Sequence, residues 1–170
     1  MIRGEKVILR AVERTDLERC HRWINDPEVS RYLQVYLPVS LHEEEKWIEN
    51  PNREGNLFAI EVDGTHIGNC GLHNIDWKNR HAELGILIGE KDFQNRGYGT
   101  DAVKTLLRFG FLTLGLHRIE LRTYSYNLRA QKCYAKARFK KEGEMREEHF
   151  FEGKHHNTIV MSLLRDEYEG

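Results

Sequence analysis

The stretch best suited to chemistry is Gln94–Thr100, QNRGYGT, which lies between an apolar run, LGILIG at Leu84–Gly89, and an amphipathic segment starting at Asp101. A strand, a glycine turn and a helix in that order can cradle a phosphate. Gly97 and Gly99 carry no Cβ and can take positive φ, so successive backbone N–H groups can converge on an anion at a helix start, where the dipole also favours negative charge. A lone GxG pattern equally fits a tight strand-to-helix connection. The turn has neither the GK(S/T) lysine that serves a nucleoside triphosphate nor the GxGxxG spacing of a dinucleotide site.

Titratable side chains flank this turn. Glu83 stands in the strand before it, and His73 and His81 lie on or beside the same pair of strands; an imidazole titrates near neutral pH without help. His155 and His156 are adjacent on a strand, so their side chains point to opposite faces and do not readily share a metal, and no metal site is expected. Cys20, Cys70 and Cys133 are odd in number, widely spaced and outside any CxxC pattern, which reads as reduced packing thiols.

The chain of 170 residues is long enough to bury a core of its own, and no repeat or linker supports a boundary, so one domain over 1–170 is expected. Its 26 basic and 27 acidic residues give a formal net charge of −1. Nothing in that balance calls for nucleic acid or an anionic membrane. The amino terminus, MIRGEKVILR, lacks an apolar signal region, and no apolar run approaches a membrane span, which reads as a cytoplasmic protein.

The elements that must position these residues are legible in order. Lys6–Arg10 reads as a strand. Thr15 with Glu18 makes a capping box for a helix with Leu17, Cys20 and Ile24 on one face, ended by Pro27. Val29, Tyr32 and Leu33 suggest a second helical piece, and Gln34–Val39 (QVYLPV) a loop that either tucks onto the core through Tyr36 and Leu37 or lines a pocket. Ser40 and Glu43 cap a helix through Trp47 and Ile48 that Pro51 closes, with Glu43, Glu44 and Glu45 complementing its dipole. From Asn56 the period becomes two, with Asp63-Gly64 and Asp76–Asn79 as turns, giving three antiparallel strands that end at the glycine turn. Ala102, Val103, Leu106, Leu107, Gly110 and Leu114 define a long helix with Gly115 at its C′ position. Arg118–Tyr124 is a strand with Ile119, Leu121 and Thr123 on one side. Asn127 caps a short helix holding Ala130, Cys133, Tyr134 and Ala137, and strands near Glu144–Phe151 and Lys154–Leu163 join through Glu152-Gly153.

This order, with the glycine turn after the fourth strand and a tyrosine in the last short helix, resembles the GCN5-related N-acetyltransferase (GNAT) superfamily almost end to end. Its signature, Gln or Arg, two residues, Gly, one residue, Gly or Ala, stands here as Gln94, Asn95, Arg96, Gly97, Tyr98, Gly99. LHRIELRTYSYNLRAQKCYAKARF at Leu116–Phe139, EGEMREEHFFEGKHHN at Glu142–Asn157 and RGEKVILRAVERTDLE near the start are similar to the branch of ribosomal-protein N-terminal acetyltransferases and spermidine acetyltransferase.

The resemblance implies an α+β (mixed α/β) GNAT fold: a central, mostly antiparallel twisted sheet of about seven strands, helices on both faces, and a splay between the family's fourth and fifth strands. It implies acetyl-CoA as co-substrate, its pyrophosphate on the amides of Asn95–Thr100, its pantetheine paired with backbone at Leu87 and Ile88, and Asn127 beside the pantetheine arm. It places Glu83 at the family's base position, with a cross-strand ion pair to Arg80 or a neighbouring arginine as the structural alternative. Tyr134 matches the tyrosine that protonates the departing thiolate; without the family it reads as a core tyrosine with its hydroxyl at the rim. The implied activity is direct transfer of an acetyl group to a primary amine, either a protein N-terminal α-amine or a small polyamine or amino compound, by an acyltransferase that can form a homodimer. The alternative is a non-catalytic acetyl-CoA-binding sensor. Arg138 departs from the family, standing where a glycine is usual, so that either the turn differs or the arginine bears the cost of a left-handed conformation.

Overall fold

The computed structural model describes residues 1–50 and 55–168. Eight strands form one sheet: β1 (Ile2–Arg3), β2 (Ile8–Ala11), β3 (Gly55–Val62), β4 (Thr65–Asp76), β5 (His81–Ile88), β6 (Arg118–Tyr124), β7 (Lys140–Phe151) and β8 (Lys154–Leu164), in the spatial order β1-β2-β3-β4-β5-β6-β8-β7. Every pairing is antiparallel except β5 with β6. Helices α1 (Leu17–Ile24), α2 (Pro27–Ser30) and α3 (Leu41–Ile48) precede β3; α4 (Tyr98–Arg108) and α5 (Leu128–Lys136) flank β6. None of the helices among the described residues is long and apolar enough to cross a membrane.

Local sequence signals set most of these elements. The period-two run makes the β3–β4–β5 meander, and Asp63 (φ 48°) with Gly64 (φ 76°) forms its first turn. Glu152 (φ 50°) and Gly153 (φ 75°) do the same between β7 and β8. Ser40 and Glu43 make the expected reciprocal cap, with Glu43 N–H donating to Ser40 Oγ at 3.2 Å and Ser40 N–H to Glu43 Oε2 at 2.8 Å. The expectation that Pro51 ends α3 lies outside the described residues. After α4 the helix widens into a π turn over Phe109–Thr113, and Gly115 takes φ 67° as its C′ residue.

The core lies on both faces of the sheet. On one, Val103, Leu106 and Leu107 of α4 and Tyr134 and Ala137 of α5 pack on Leu72, Ala82, Ile119 and Leu121. On the other, Cys20 and Trp23 of α1 and Val29 of α2 meet Leu87. A Cβ on Gly89 would lie 2.1 Å from the Trp23 ring, so the end of β5 must be glycine for α1 to seat there. The three cysteines are free thiols.

Several expectations are corrected. The capping box at Thr15 and Glu18 does not form. Glu13 N–H instead donates to Asp16 Oδ2 at 2.9 Å, and a 3-10 turn over Arg14–Asp16 leads into α1, because Arg10 grips the buried Asp16 carboxylate bidentately at 2.8 and 2.9 Å. Pro27 opens α2 at its first position, behind an Asp26 cap, and α2 stops at Ser30. Tyr36 and Leu37 do not tuck onto the core; they are 88% and 66% exposed. Strand β7 begins at Lys140, four residues before the expected Glu144, and two register shifts, at Lys141/Gly143 and Met145/His149, let so long a strand follow β8.

The eighth strand has a tertiary cause. Asp101, in the first turn of α4, accepts from the backbone N–H groups of Glu5 (3.2 Å), Lys6 (2.7 Å) and Val7 (3.0 Å), and so folds the N-terminal segment into the β1–β2 hairpin. Gly4 is required there, since a Cβ would sit 2.5 Å from Asp101 Oδ2. Replacing Asp101 by Asn puts an amide N–H against these donors and removes the charge that strengthens the bonds. The expected cost is about 1–2 kcal/mol, read from the urea midpoint.

Arg138 resolves its own question. It takes φ 71°, and Phe139 N–H donates to the Tyr134 carbonyl at 3.0 Å, so the helix stop forms with arginine in the left-handed position. The turn is kept and the side chain bears the conformational cost.

Candidate active site

Strands β5 and β6 pair only over His81↔Arg118, Ala82↔Ile119 and Glu83↔Glu120; beyond these residues they part. The gap opens into a cavity of about 1750 Å³ lined by β5, the glycine turn, α5, the 27–38 segment and the β7–β8 hairpin. Peptide groups alternate sides along a strand. Gly89 N–H turns to β4, donating to the Ile67 carbonyl at 2.9 Å, whereas the Ile88 carbonyl turns to the gap. The open side therefore receives the backbone of Ile86 and Ile88, while Leu87 directs its peptide groups to β4, where it pairs with Asn69. Sequence reasoning named Leu87 and Ile88 for the open edge; the structure turns the backbone of Ile86 and Ile88 there, because the phase of that alternation follows from the β4 register.

Gln94 ties the cradle to the strand. Its amide donates to the Ile88 carbonyl at 2.9 Å, and its carbonyl oxygen accepts from Arg129 of α5. Asn95 (φ 60°) and Gly97 (φ 86°) are the left-handed residues of the turn; Gly99 already lies in the first turn of α4, with ordinary helical geometry. The turn thus leads into the first-turn N–H groups of an eleven-residue helix. Thr100 Oγ1 donates to Cys133 Sγ at 3.4 Å, and Tyr98 packs its ring on Phe93, leaving only its N–H to the cradle. Arg96 is exposed on the turn. The Lys6 ammonium stands over the same turn, 3.3 Å from where a Gly97 Cβ would be, and Arg129, Lys132 and Lys136 line the cavity at this end. An anion is the chemistry this end favours.

Glu83 reaches the cavity from the opposite face of β5 to the core residues Ala82 and Leu84. Its partner is Asn74, whose Nδ2 donates to Glu83 Oε2 at 3.1 Å, not Arg80. His73 is directly across from Glu83 in the β4–β5 register, with its ring over Gly85, and His81 lies 3.6 Å from Asp76 Oδ2. Neither histidine lines the cavity. Of the three titratable candidates the structure brings only Glu83 to the gap.

Tyr134 lines the gap from α5, buried to 7% exposure with its ring against Phe139. Burial pushes its phenol pKa well above the ordinary value, and among the described residues no hydrogen bond engages the hydroxyl. Asn127 caps α5, accepting from Ala130 N–H at 3.2 Å, and also lines the cavity. Cys133 is beside them, but burial raises its thiol pKa, so it is poorly suited to act as a nucleophile.

Beyond the gap is an aromatic cluster that sequence reasoning did not assemble. His149 stacks on Tyr124 with centroids 3.6 Å apart, and Tyr126 donates to the Arg31 carbonyl at 2.6 Å while standing 3.2 Å from His149 Nε2. The register shift after Met145 delivers Glu148 and His149 here, and the alternating tyrosines of RTYSYN were the one available signal. His155 and His156 are divided as expected, one ring on Phe150 and the other edge-on to Tyr126.

The chain is similar to known proteins along nearly its whole length. A family description, Acetyltransferase (GNAT) domain, matches residues 6–140. The chain is 34% identical to a putative ribosomal N-acetyltransferase of Bacillus subtilis, covering 98% of this chain and 96% of that one. It is 30% identical to spermidine N(1)-acetyltransferase of Escherichia coli K12, with 97% and 89% covered. The structure of spermidine N-acetyltransferase from Vibrio cholerae, in complex with CoA and spermine, superposes with a TM-score of 0.89 at 27% identity, covering 96% of this chain and 98% of that one. With its splayed strands, glycine cradle and end-to-end likeness to these enzymes, the chain belongs to the GNAT family and is an acetyl-CoA-dependent N-acetyltransferase.

Proposed function

We propose that this site transfers the acetyl group directly from acetyl-CoA to a primary amine held on the Glu83 face, with Glu83 as base and Tyr134 as acid. The observation that carries the reading is that these two side chains line one cavity, Glu83 from β5 and Tyr134 from α5, on either side of the β5–β6 gap. The amides of Asn95–Thr100 hold the pyrophosphate, and backbone groups of Ile86 and Ile88 pair with the pantetheine, with Asn127 alongside. Glu83 takes a proton from the ammonium, directly or through water. The freed nitrogen attacks the thioester carbonyl, a backbone N–H on the open edge of β5 supports the oxyanion, and the C–S bond breaks as Tyr134 protonates the sulfur. No enzyme nucleophile is required, since a thioester is already activated.

For the acceptor we favour an aliphatic polyamine. Glu28, Glu83, Glu148 and Glu152 line the cavity, and Glu148 and Glu152 hold their arginines, Arg122 and Arg31, only loosely at 3.6 and 3.9 Å, so a polycation can displace them. The likeness to spermidine acetyltransferases supports the same class. A protein α-amine is the second reading, favoured by a cavity open enough for a peptide and rimmed by exposed Tyr36, Leu37 and Phe150. That apolar rim is also the surface on offer for the homodimer.

The test is thiol release from acetyl-CoA against spermidine, peptides with free amino termini and aminoglycosides. Spermidine is expected to give the highest kcat/KM; a peptide preference of tenfold or more selects the second reading. Coenzyme binding with no release above hydrolysis for any amine sinks both in favour of a sensor.

A further inference from the structure

A second pocket, of about 520 Å³, lies at the end of the sheet opposite the glycine turn. Lys78, Arg80, His117 and Arg165 line it, over a floor of Phe111 and Leu116. Strand β5 runs from His81, beside this pocket, to Ile88, whose carbonyl Gln94 holds at the cradle. That is a length of about 23 Å, so the pocket is separate from the coenzyme cleft.

The sheet sets these side chains in a row. His81 pairs with Arg118 and Arg118 with Leu164, the last row of β5, β6 and β8 at this end. One residue further out, the Arg80 carbonyl accepts from His117 N–H at 2.7 Å, and the His117 carbonyl accepts from Arg165 N–H at 2.8 Å. Three adjacent strands therefore release Arg80, His117 and Arg165 side by side, over about 10 Å at the usual strand spacing. Lys78 joins them from the turn before β5.

Among the described residues no carboxylate lines this pocket. The nearby carboxylates are engaged elsewhere: Asp76 by Asn79, Glu120 and Glu142 by Arg118, and Glu167 by Lys140. Asp166 follows Arg165 in the chain but is exposed and outside the lining. None of Lys78, Arg80 and Arg165 has an ion-pair partner among the described residues. Like charges on neighbouring strands repel, and the buried Phe111 and Leu116 beneath them form a low-dielectric floor that concentrates their field. With a formal net charge of −1, the chain is not basic overall, so the clustering is local. Arg80 also holds φ 54°, a left-handed conformation that a side chain adopts at a cost.

We propose that this pocket binds a phosphate group, either free phosphate or the phosphate of a small phosphorylated molecule, at a site separate from the coenzyme. The guanidinium groups of Arg80 and Arg165 present paired N–H donors that match phosphate oxygens, the imidazole of His117 between them offers a further N–H, and the Lys78 ammonium adds charge. The row is short. Nucleic acid, which needs cations spread along several successive phosphates, fits it less well than one compact anion. Bound phosphate offsets the repulsion within the row and so steadies the β5–β6–β8 end of the sheet.

The experiment uses the full chain saturated with CoA, so that the glycine cradle is filled. It reads the melting temperature and, by calorimetry, the Kd for inorganic phosphate and for glycerol phosphate; the tighter of the two identifies the source. Phosphate at about ten times its Kd is expected to raise the melting temperature by about 4 °C over chloride at the same ionic strength. The double variant Arg80→Gln, Arg165→Gln is expected to weaken both Kd values about tenfold or more and to lose the rise. Without phosphate it should melt at the wild-type temperature or above, because the like charges are gone, and acetyl transfer should be unchanged. Lys78→Gln alone is expected to weaken phosphate about threefold, and it decides the matter if the double variant does not fold. A rise that chloride reproduces, or that the variants keep, overturns the proposal, since the effect is then screening or general salt exclusion. An oligoribonucleotide that binds the wild type and not the variants, beside no response to either phosphate, also overturns it and assigns the patch to nucleic acid.

Discussion

Glu83→Gln is expected to lower kcat by about 10²–10³-fold at neutral pH while leaving the Kd for acetyl-CoA unchanged. The amine carries the argument. An aliphatic amine has an unperturbed pKa near 10 and an α-amine one near 8, roughly, so either arrives mostly protonated and without a lone pair to attack with. Glu83 is the one carboxylate that reaches the gap from β5, and Asn74 donates to one of its oxygens, so in the proposed reaction the other is the one left to take the proton. Glutamine keeps the shape and the bond from Asn74 but cannot accept the proton. The deficit should therefore shrink as pH rises and the free amine becomes common in solution, so the variant's rate climbs with pH over a range where the wild type levels off. A deficit constant between pH 7 and 10, or a parallel loss of acetyl-CoA affinity, would assign Glu83 a structural part.

The second large effect is expected at Tyr134. Tyr134→Phe should reduce kcat by about 10–100-fold with little change in either substrate's affinity, because a thiolate that leaves without a proton is the poorer leaving group. Burial raises the phenol's pKa, so the folded-state value lies above the unfolded one. The sign follows: below the ordinary value near 10 the group is a neutral O–H in both states, and the proton is ready for transfer throughout a neutral assay. Deprotonation of Tyr134 therefore should not produce a falling basic limb in the pH profile below pH 10. An acyl donor whose leaving thiolate depends less on protonation offers the check. With a coenzyme analogue bearing a more acidic thiol the Phe variant should recover, and failure to recover would make Tyr134 a packing residue against Phe139.

The structure also divides the work of the glycine turn. Gln94 braces β5 through the Ile88 carbonyl and meets Arg129 of α5, so the residue that opens the family signature couples the cradle to both walls of the cleft. Gly97 supplies the left-handed turn, whereas Gly99 supplies only a small first turn of helix, its missing Cβ facing Ile88 and Cys133 at ordinary contact distance.

By itself the sequence determined what local chemistry decides. The turns at Asp63-Gly64 and Glu152-Gly153, the caps at Ser40 and Asn127, the C′ Gly115 and the alternation of β6 follow from neighbours a few residues apart, and the cradle with its flanking strand and helix was legible for the same reason. What only the tertiary structure decided depends on register and on contacts across the chain. The first hairpin exists because Asp101 gathers N–H groups some 95 residues away. The capping box predicted at Thr15 gave way to Arg10, which draws Asp16 into the interior. Glu83 lines the cavity and His73 and His81 do not, because the β5–β6 pair opens only beyond Glu83, a question of pairing that composition does not answer. The aromatic side of the cleft was invisible because β6, β7 and β8 meet there from positions 124, 149 and 158, brought into contact by a register shift in β7 that no local signal encodes.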